Sequence, residues 1–345
     1  MKTVAFRADS SSAIGMGHVM RCLSLAQEIT EAGGQCHFLC RDLPGHVSDL
    51  VLNQGYVRHI LNGDSPSEVL RKCEDLRADW LVIDHYELDA DWERAACPDG
   101  TAITIIDDLA NRPHHCALLL DQNLGVRQDA YAGLVPRDTR LLLGPHYALL
   151  RPDFSQARAR SLRRRADARG LDLFINFGGA DPCDATARVL DRLSAHRHQF
   201  DKLTVVLGGA IRDPAPLRSK ATALEANVII NAAEMAHLMS QADLAIGAAG
   251  TTAWERCCVG LPTGLVVVAD NQRRGARALN AAGAGVVLAD LSAGDDLSAM
   301  PDFLAQCRQD RGYLMQMSAQ AAKMVDGKGA ARVAAVMREL GSHDG

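Results

Sequence analysis

A histidine that directly follows a glycine loop is the first feature with chemical consequences. The segment RADSSSAIGMGHVMRCLSLA at positions 7–26 runs from a short apolar stretch, through Gly15 and Gly17, into His18 and a helix-period pattern. A strand–loop–helix junction points backbone N–H groups and the positive helix end at whatever sits above it. Gly15 and Gly17 therefore mark a candidate site for phosphate or another anion. The same helix end disfavours a further positive charge and so favours neutral imidazole, the form of His18 that takes a proton from water. Capping or packing is the plain alternative for this histidine. A dinucleotide fingerprint fits poorly, because Met20 stands where the third glycine belongs and the glycines come well after the strand.

Two similar devices lie in the second half. The run Leu171–Phe177 leads to Gly178, Gly179, Ala180, Asp181 and Pro182, and proline suits a helix start. The run Leu244–Gly247 leads to Gly250, Thr251 and Thr252, a small-residue turn into a helix carrying Glu255. A glutamate in a first helical turn stabilises the helix dipole, or it accepts two hydrogen bonds from a ribose diol. Strand ends also hold Asp84 and the pair Asp107–Asp108. Such acids do acid–base work or hold a metal, or they cap the next helix and line a cleft without reacting. His85 and Tyr86 fall just past a first-half strand, where ligand clefts of open α/β sheets lie. The remaining histidines show no ligand-like spacing.

These residues need strand ends to stand on, and the pattern supplies them. Apolar runs at Thr3–Ala8, Cys36–Cys40, Tyr56–Leu61, Trp80–Asp84, Ala102–Asp107, Leu118–Asp121 and Arg140–Leu143 alternate with helix-period stretches. The second half continues with Leu171–Phe177, Leu203–Leu207, Asn227–Asn231, Leu244–Gly247, Pro262–Val268 and Gly285–Leu288. Near-continuous apolar strands separated by helices predict parallel sheets covered on both faces. In the first helix Val19, Cys22, Leu23, Ala26 and Ile29 share one face. The arginine-rich stretch SQARARSLRRRADAR reads as a solvated helix or linker rather than a phosphate site. The division expected is 1–154, a linker at 155–170, a second domain at 171–329, and a C-terminal helix and tail at 330–345.

Composition sets the outer limits. The 345 residues are 48% hydrophobic and 23% charged, an ordinary balance with material for two cores. A net charge of −5 and an aromatic share of 4% argue against nucleic acid or anionic lipid as partners. No apolar run is long enough to span a membrane, and the N-terminal run is too short for a signal-peptide core. The 10 cysteines are scattered with no CxxC, which predicts a reduced, cytoplasmic protein without a zinc site.

Together the pieces resemble the UDP-sugar hydrolases of pseudaminic acid biosynthesis, the PseG family, and more distantly the two-domain GT-B glycosyltransferases. The resemblance is carried by the 7–26 segment, VIDHYELD at 82–89, LLGPHYALLRPDF at 142–154, NFGGADP at 176–182, GAAGTTAWE at 247–255 and DNQ at 270–272. It implies an α/β, GT-B-like fold: two Rossmann-like domains with parallel sheets facing across a cleft, UDP mainly on the second. Glu255 would hold the ribose, with Gly178, Gly179, Gly250, Thr251 and Thr252 beside the nucleotide and backbone near Met235 at the uracil edge. His18 would be the catalytic base, and Tyr86 and Asn271 would lie near the sugar. Arg151 would face the diphosphate or pin the interdomain segment. The implied reaction is hydrolysis of UDP-2,4-diacetamido-2,4,6-trideoxy-β-L-altropyranose to UDP and free sugar. Water would attack the anomeric carbon with inversion, and neither metal nor cofactor would be needed. A GT-B transferase using a UDP-sugar donor and a sugar acceptor is the alternative, and a non-catalytic nucleotide-sugar sensor the third reading.

Overall fold

The computed structural model describes residues 1–11, 14–46 and 49–341. Seven strands form the first sheet: β1 (Thr3–Ala8), β2 (Gln35–Arg41), β3 (Val57–Leu61), β4 (Trp80–Asp84), β5 (Ala102–Ile106), β6 (Leu118–Asp121) and β7 (Arg140–Leu143). Six form the second: β8 (Leu173–Asn176), β9 (Leu203–Leu207), β10 (Asn227–Ile230), β11 (Leu244–Ala248), β12 (Thr263–Val267) and β13 (Val286–Asp290). Their spatial orders are β3-β2-β1-β4-β5-β6-β7 and β10-β9-β8-β11-β12-β13, with every pairing parallel. Burial explains why the strands read as apolar runs. Every residue of β4, β6, β8, β11 and β12 is buried, while the edge strands β3 and β10 expose Val57, Ile60 and Ile230.

In both sheets the strand order reverses, between β1 and β4 in the first and between β8 and β11 in the second. Loops leaving the C-terminal strand ends on either side of such a reversal part from one another and leave a crevice for ligands. His18, Asp84 and Tyr86 in the first unit, and Gly178, Gly179, Gly250, Thr251, Thr252 and Glu255 in the second, come at or after these ends, whereas Asp107–Asp108, Met235 and Asn271 follow β5, β10 and β12.

The chain forms two compact units, one from Met1–Leu150 plus the stretch from Lys328 onward, the other from Arg151–Gly327. In the first, the helix Gly17–Glu31 buries Val19, Cys22, Leu23, Ala26 and Ile29 against β1 and β2, where Phe6 and Phe38 stack at 4.8 Å. The helix Gly329–Leu340 is part of this core rather than an appendage. It buries Val333, Ala334 and Met337 there, and a side chain at Gly329 would fall 2.2 Å from the Ala148 carbonyl oxygen.

The arginine-rich stretch is the helix Pro152–Asp167 of the second unit, and its arginines are not all solvated. Arg165 is fully buried and donates to the carbonyls of Val259 (3.1 Å), Gly260 (2.8 Å) and Ala242 (3.1 Å). Arg158 donates to those of Cys258 (2.6 Å), Ala322 (2.6 Å) and Val325 (2.9 Å). Helix C-termini leave carbonyls without internal partners, and guanidinium groups satisfy them. Those carbonyls lie 77 to 167 residues away in sequence, so composition alone read the stretch as solvent-facing.

Candidate active site

The first unit places His18 in the opening turn of the helix Gly17–Glu31, beside the end of β4. Its Nδ1 lies 2.5 Å from Asp84 Oδ1. An ionised carboxylate only accepts, so Nδ1 carries a proton, and in the neutral ring Nε2 is then the nitrogen with the lone pair. Among the described residues Nε2 has no hydrogen-bond partner. Burial pushes the Asp84 carboxyl up, but Arg21 and His18 beside it outweigh that and hold it well below the usual carboxylate range. The Tyr86 ring meets the His18 ring edge-on at 4.7 Å. A cavity of about 100 Å³ opens here, lined by Asp9, Ile14, His18, Asp84, His85, Tyr86 and Glu87. An oriented neutral imidazole on such a cavity can accept a proton from water.

Of the two loop glycines, Gly15 spends its amide within the loop itself. The Gly15 N–H donates to Ser11 O at 2.8 Å, and its φ of +81° is a left-handed turn that glycine makes without strain. That amide is spent inside the loop, and the rest of the loop at 12 and 13 lies outside the described residues.

Beside the cavity, Asp9, Asp64 and His85 come close enough to suggest a metal site. Their oxygens are taken by arginines. Arg7 pairs with Asp9 at 2.7 Å and Asp64 at 2.5 Å, and Arg41 with Asp9 at 2.7 Å and with Asp64. Two guanidinium charges already balance the two carboxylates, which leaves an ion-pair cluster with little to offer a cation. Arg112 braces the same loop, donating to the carbonyls of His85 (2.6 Å) and Leu88 (2.9 Å) and to Asp107 (3.0 Å).

The Asp107–Asp108 pair divides its labour. Asp107 accepts from the Ala110 amide (2.8 Å), Arg112 and the Tyr131 hydroxyl (2.9 Å), a capping arrangement. Asp108 instead turns toward Arg21 and Tyr86. The Tyr131 hydroxyl also lies 3.0 Å from Asp121 Oδ2. One hydroxyl proton cannot serve two carboxylates, so the third group must bring its own, and burial pushes the Asp121 carboxyl up to about 6.

The second unit sets its residues at the C-terminal strand ends. Gly178, with φ +81°, follows β8, and its N–H is held by Asn176 Oδ1 at 3.2 Å. Gly179 lies against Gly208 after β9, where a Cβ would meet the Gly179 carbonyl oxygen at 2.1 Å. The helix expected at Pro182 begins at Ala185: Asp181, Cys183 and Asp184 all take positive φ, and Asp181 accepts from the Thr186 amide at 3.1 Å. After β11, the Gly250 and Thr251 amides have no hydrogen-bond partner among the described residues, and Thr252 opens the helix Thr252–Cys258. Buried Arg256 braces this turn, donating to Ala248 O at 2.5 Å and Thr252 Oγ1 at 3.1 Å. Its side chain has no carboxylate partner among the described residues, and burial lowers its pKa to about 10.

The carboxyl of Glu255, half-buried on that helix, has no hydrogen-bond or ion-pair partner among the described residues. Burial raises its carboxyl to about 7 against the opposing pull of Arg151 and Arg256. Met235 opens the helix Met235–Gln241 after β10, and Asn271 is exposed in the turn Asp270–Gln272 after β12. Arg151 donates to Ala233 O at 3.2 Å and pairs with Asp153 at 3.2 Å, so it pins its own segment within the second unit. Sequence reasoning passed over Arg21, Arg256, Gly208 and Gln272, whose amide lies 3.3 Å from where a Gly250 side chain would stand. For Arg21 and Arg256 a signal existed: each is a charge on an otherwise apolar helix face.

Comparison with known proteins agrees with this architecture. Residues 177–333 match the glycosyltransferase family 28 C-terminal domain. The chain is 32% identical over 191 residues to the UDP-2,4-diacetamido-2,4,6-trideoxy-beta-L-altropyranose hydrolase of Campylobacter jejuni, which covers 55% of this chain and 65% of that protein. It is 25% identical to the spore coat polysaccharide biosynthesis protein SpsG of Bacillus subtilis, over 98% of both chains. The chain spans less than two thirds of the hydrolase, and 56% of an uncharacterized protein of Methanocaldococcus jannaschii that is 24% identical. Among solved structures, MurG of Acinetobacter baumannii superposes with a TM-score of 0.69 at 17% identity, covering 98% of this chain and 100% of that one. No helix among the described residues is long and apolar enough to cross a membrane. The fold is thus GT-B, residues 177–333 resemble the glycosyltransferase family 28 C-terminal domain, and over about half its length the chain resembles the altropyranose hydrolase.

Proposed function

We propose that this protein hydrolyses a UDP-linked 2,4-diacetamido-2,4,6-trideoxyhexose to UDP and the free sugar, as the Campylobacter jejuni relative's name describes for that protein. One observation carries the reading: His18 lines a cavity at the strand-order reversal with its Nδ1 held by Asp84, which leaves Nε2 without a hydrogen-bond partner among the described residues. Water that gives its proton to Nε2 attacks the anomeric carbon, the C–O bond to the diphosphate breaks, and UDP leaves with the bonding electrons. Attack by a positioned base opposite the leaving group inverts the anomeric centre. The second unit binds UDP: Glu255 accepts from the ribose hydroxyls, the Gly250 and Thr251 amides and the Gly178–Gly179 and Thr252 loops face the diphosphate, and backbone at Met235 meets the uracil. Tyr86 and Asn271 contact the sugar. No step calls on a metal, and turnover is expected to persist in excess EDTA.

The family 28 match and the MurG likeness favour a second reading, transfer of the sugar to an acceptor hydroxyl. Incubation with the UDP-sugar and water alone separates the two. Multiple turnovers of UDP release support hydrolysis; an intact donor until a sugar acceptor is added supports transfer.

A further inference from the structure

His18 and Arg21 stand three residues apart on one helix, a spacing that puts both side chains on the same face. Asp84 ends β4, Tyr86 follows it by two residues, and Asp108 lies just past β5. A single guanidinium joins them. Arg21 Nε and Nη2 donate to Asp84 Oδ2 and Oδ1, each at 2.6 Å. Its Nη1 donates to Asp108 Oδ1 at 3.0 Å, and Nη2 lies 2.9 Å from Asp108 Oδ2. Asp84 accepts a hydrogen bond from His18 Nδ1–H, and Asp108 accepts one from the Tyr86 hydroxyl at 3.1 Å. Asn123 Nδ2 lies 3.3 Å from Asp108 Oδ1, Cys22 Sγ 3.8 Å from Asp84 Oδ2, and Arg21 Nη2 also 3.5 Å from His18 Nδ1.

We propose that Arg21 is a positioning residue that sets the His18 base and Tyr86 as one rigid unit. The inference rests on the hydrolase reading for the meaning of those two side chains. A carboxylate's terminal torsion is broad, so Asp84 bonded to His18 alone could turn and let the ring follow. A planar fork on both oxygens fixes the plane of the carboxylate and, through it, the ring. The second edge of the same fork does this for Asp108 and the tyrosine hydroxyl. The Arg21 side chain is 4% exposed and that of Asp84 0%, so the bonds between these two are shielded from water, while the Asp108 side chain is 16% exposed. The charges also close: two carboxylates and one guanidinium leave one negative charge, which the imidazolium formed during turnover neutralises. Lysine, a point charge without the fork, keeps the charge and loses the geometry.

The test uses the full chain with ¹⁵N-labelled histidine, the UDP-sugar and UDP. Wild type is expected to show His18 as a single Nδ1–H tautomer. Arg21→Lys should melt as a folded protein and bind UDP as before, with kcat lower by about 10²-fold, KM little changed and the His18 tautomers mixed. Asp108→Asn should keep the single tautomer, because Asp84 retains both its arginine bonds, and should lose less kcat. If Arg21→Lys does not fold, Asp108→Asn and Tyr86→Phe take its place. They break the same link, so the double variant should be no slower than the slower single one. Wild-type kcat with a single tautomer in Arg21→Lys overturns the proposal, as does an additive loss in the double variant. Should the wild-type chain release no UDP from the sugar nucleotide, the hydrolase reading fails while the tautomer spectra still decide the role of Arg21.

Discussion

At the strand-order reversal of the first sheet, the polar groups around His18 have their partners inside the protein: Asp84 under the ring, Arg21 across Asp84, Asp108 on Arg21 and Tyr86 on Asp108. At the same place in the second sheet, the Glu255 carboxyl and the Gly250 and Thr251 amides have no hydrogen-bond partner among the described residues. The topology is shared, and the electrostatics are opposite. A base has to be oriented before its substrate arrives, so its supports belong to the protein. A binding carboxylate desolvated without a partner is costly until a ligand supplies the donors, and that cost becomes affinity for a ligand that does. On the proposed reading, this contrast goes with chemistry on the first unit and nucleotide binding on the second.

The largest break is expected at His18. His18→Leu should cut turnover by about 10²–10⁴-fold while UDP binds as before, since a general base acts on the transition state. Retention of most of the wild-type kcat would return His18 to a packing role and remove the contrast.

Glu255→Ala sharpens the other side. Charge-assisted hydrogen bonds are worth roughly 1.5–3 kcal/mol each, so the Kd for UDP should rise at least about tenfold. Calorimetry decides: an unchanged Kd with a lower melting temperature would make Glu255 a helix-stabilising residue only.

The smallest effect concerns Asp121, a buried acid of the first unit that the mechanism does not use. Its carboxyl is raised to about 6 in the folded protein against about 3.9 in an unfolded chain. A raised acid stabilises the fold in its protonated form, fully below about pH 4, and that contribution is lost as pH rises through about 6. Asp121→Asn keeps an oxygen for the Asn123 amides and offers an N–H to Tyr131 at every pH. The variant should therefore melt several degrees above wild type at pH 8, with the gap narrowing as pH falls through about 6 and closing only below about pH 4, at about 2–4 °C per kcal/mol. An unchanged difference across that range would place the proton elsewhere.

Much of the fold was legible in the sequence because both sheets are parallel and covered. Runs such as Thr3–Ala8, Trp80–Asp84, Leu118–Asp121 and Leu203–Leu207 coincide with their strands, since buried parallel strands have no polar face to blur the pattern. His18, Gly178, Gly250 and Glu255 could be picked out because they follow strand ends in a fixed local grammar. What stayed hidden was pairing over long separations. Asp84 and Arg21 are 63 positions apart, and Arg7 and Asp64 are 57 apart. Parallel strand order, not local sequence, brings such groups together. The same holds for Arg158 and Arg165, whose partner carbonyls arrive from distant helices, and for the last helix, whose apolar face does not say which core it joins.

The central claim is that water, activated at His18, breaks the C–O bond at the anomeric carbon. The direct test is a reaction run in ¹⁸O-water with mass analysis of both products. The account predicts the label on the released sugar and none on UDP, because attack at carbon leaves every phosphate oxygen in place. Attack at phosphorus relies on metal ions clamping the transferring oxygens, and it would put the label in the UDP phosphate. Label found there would contradict the mechanism.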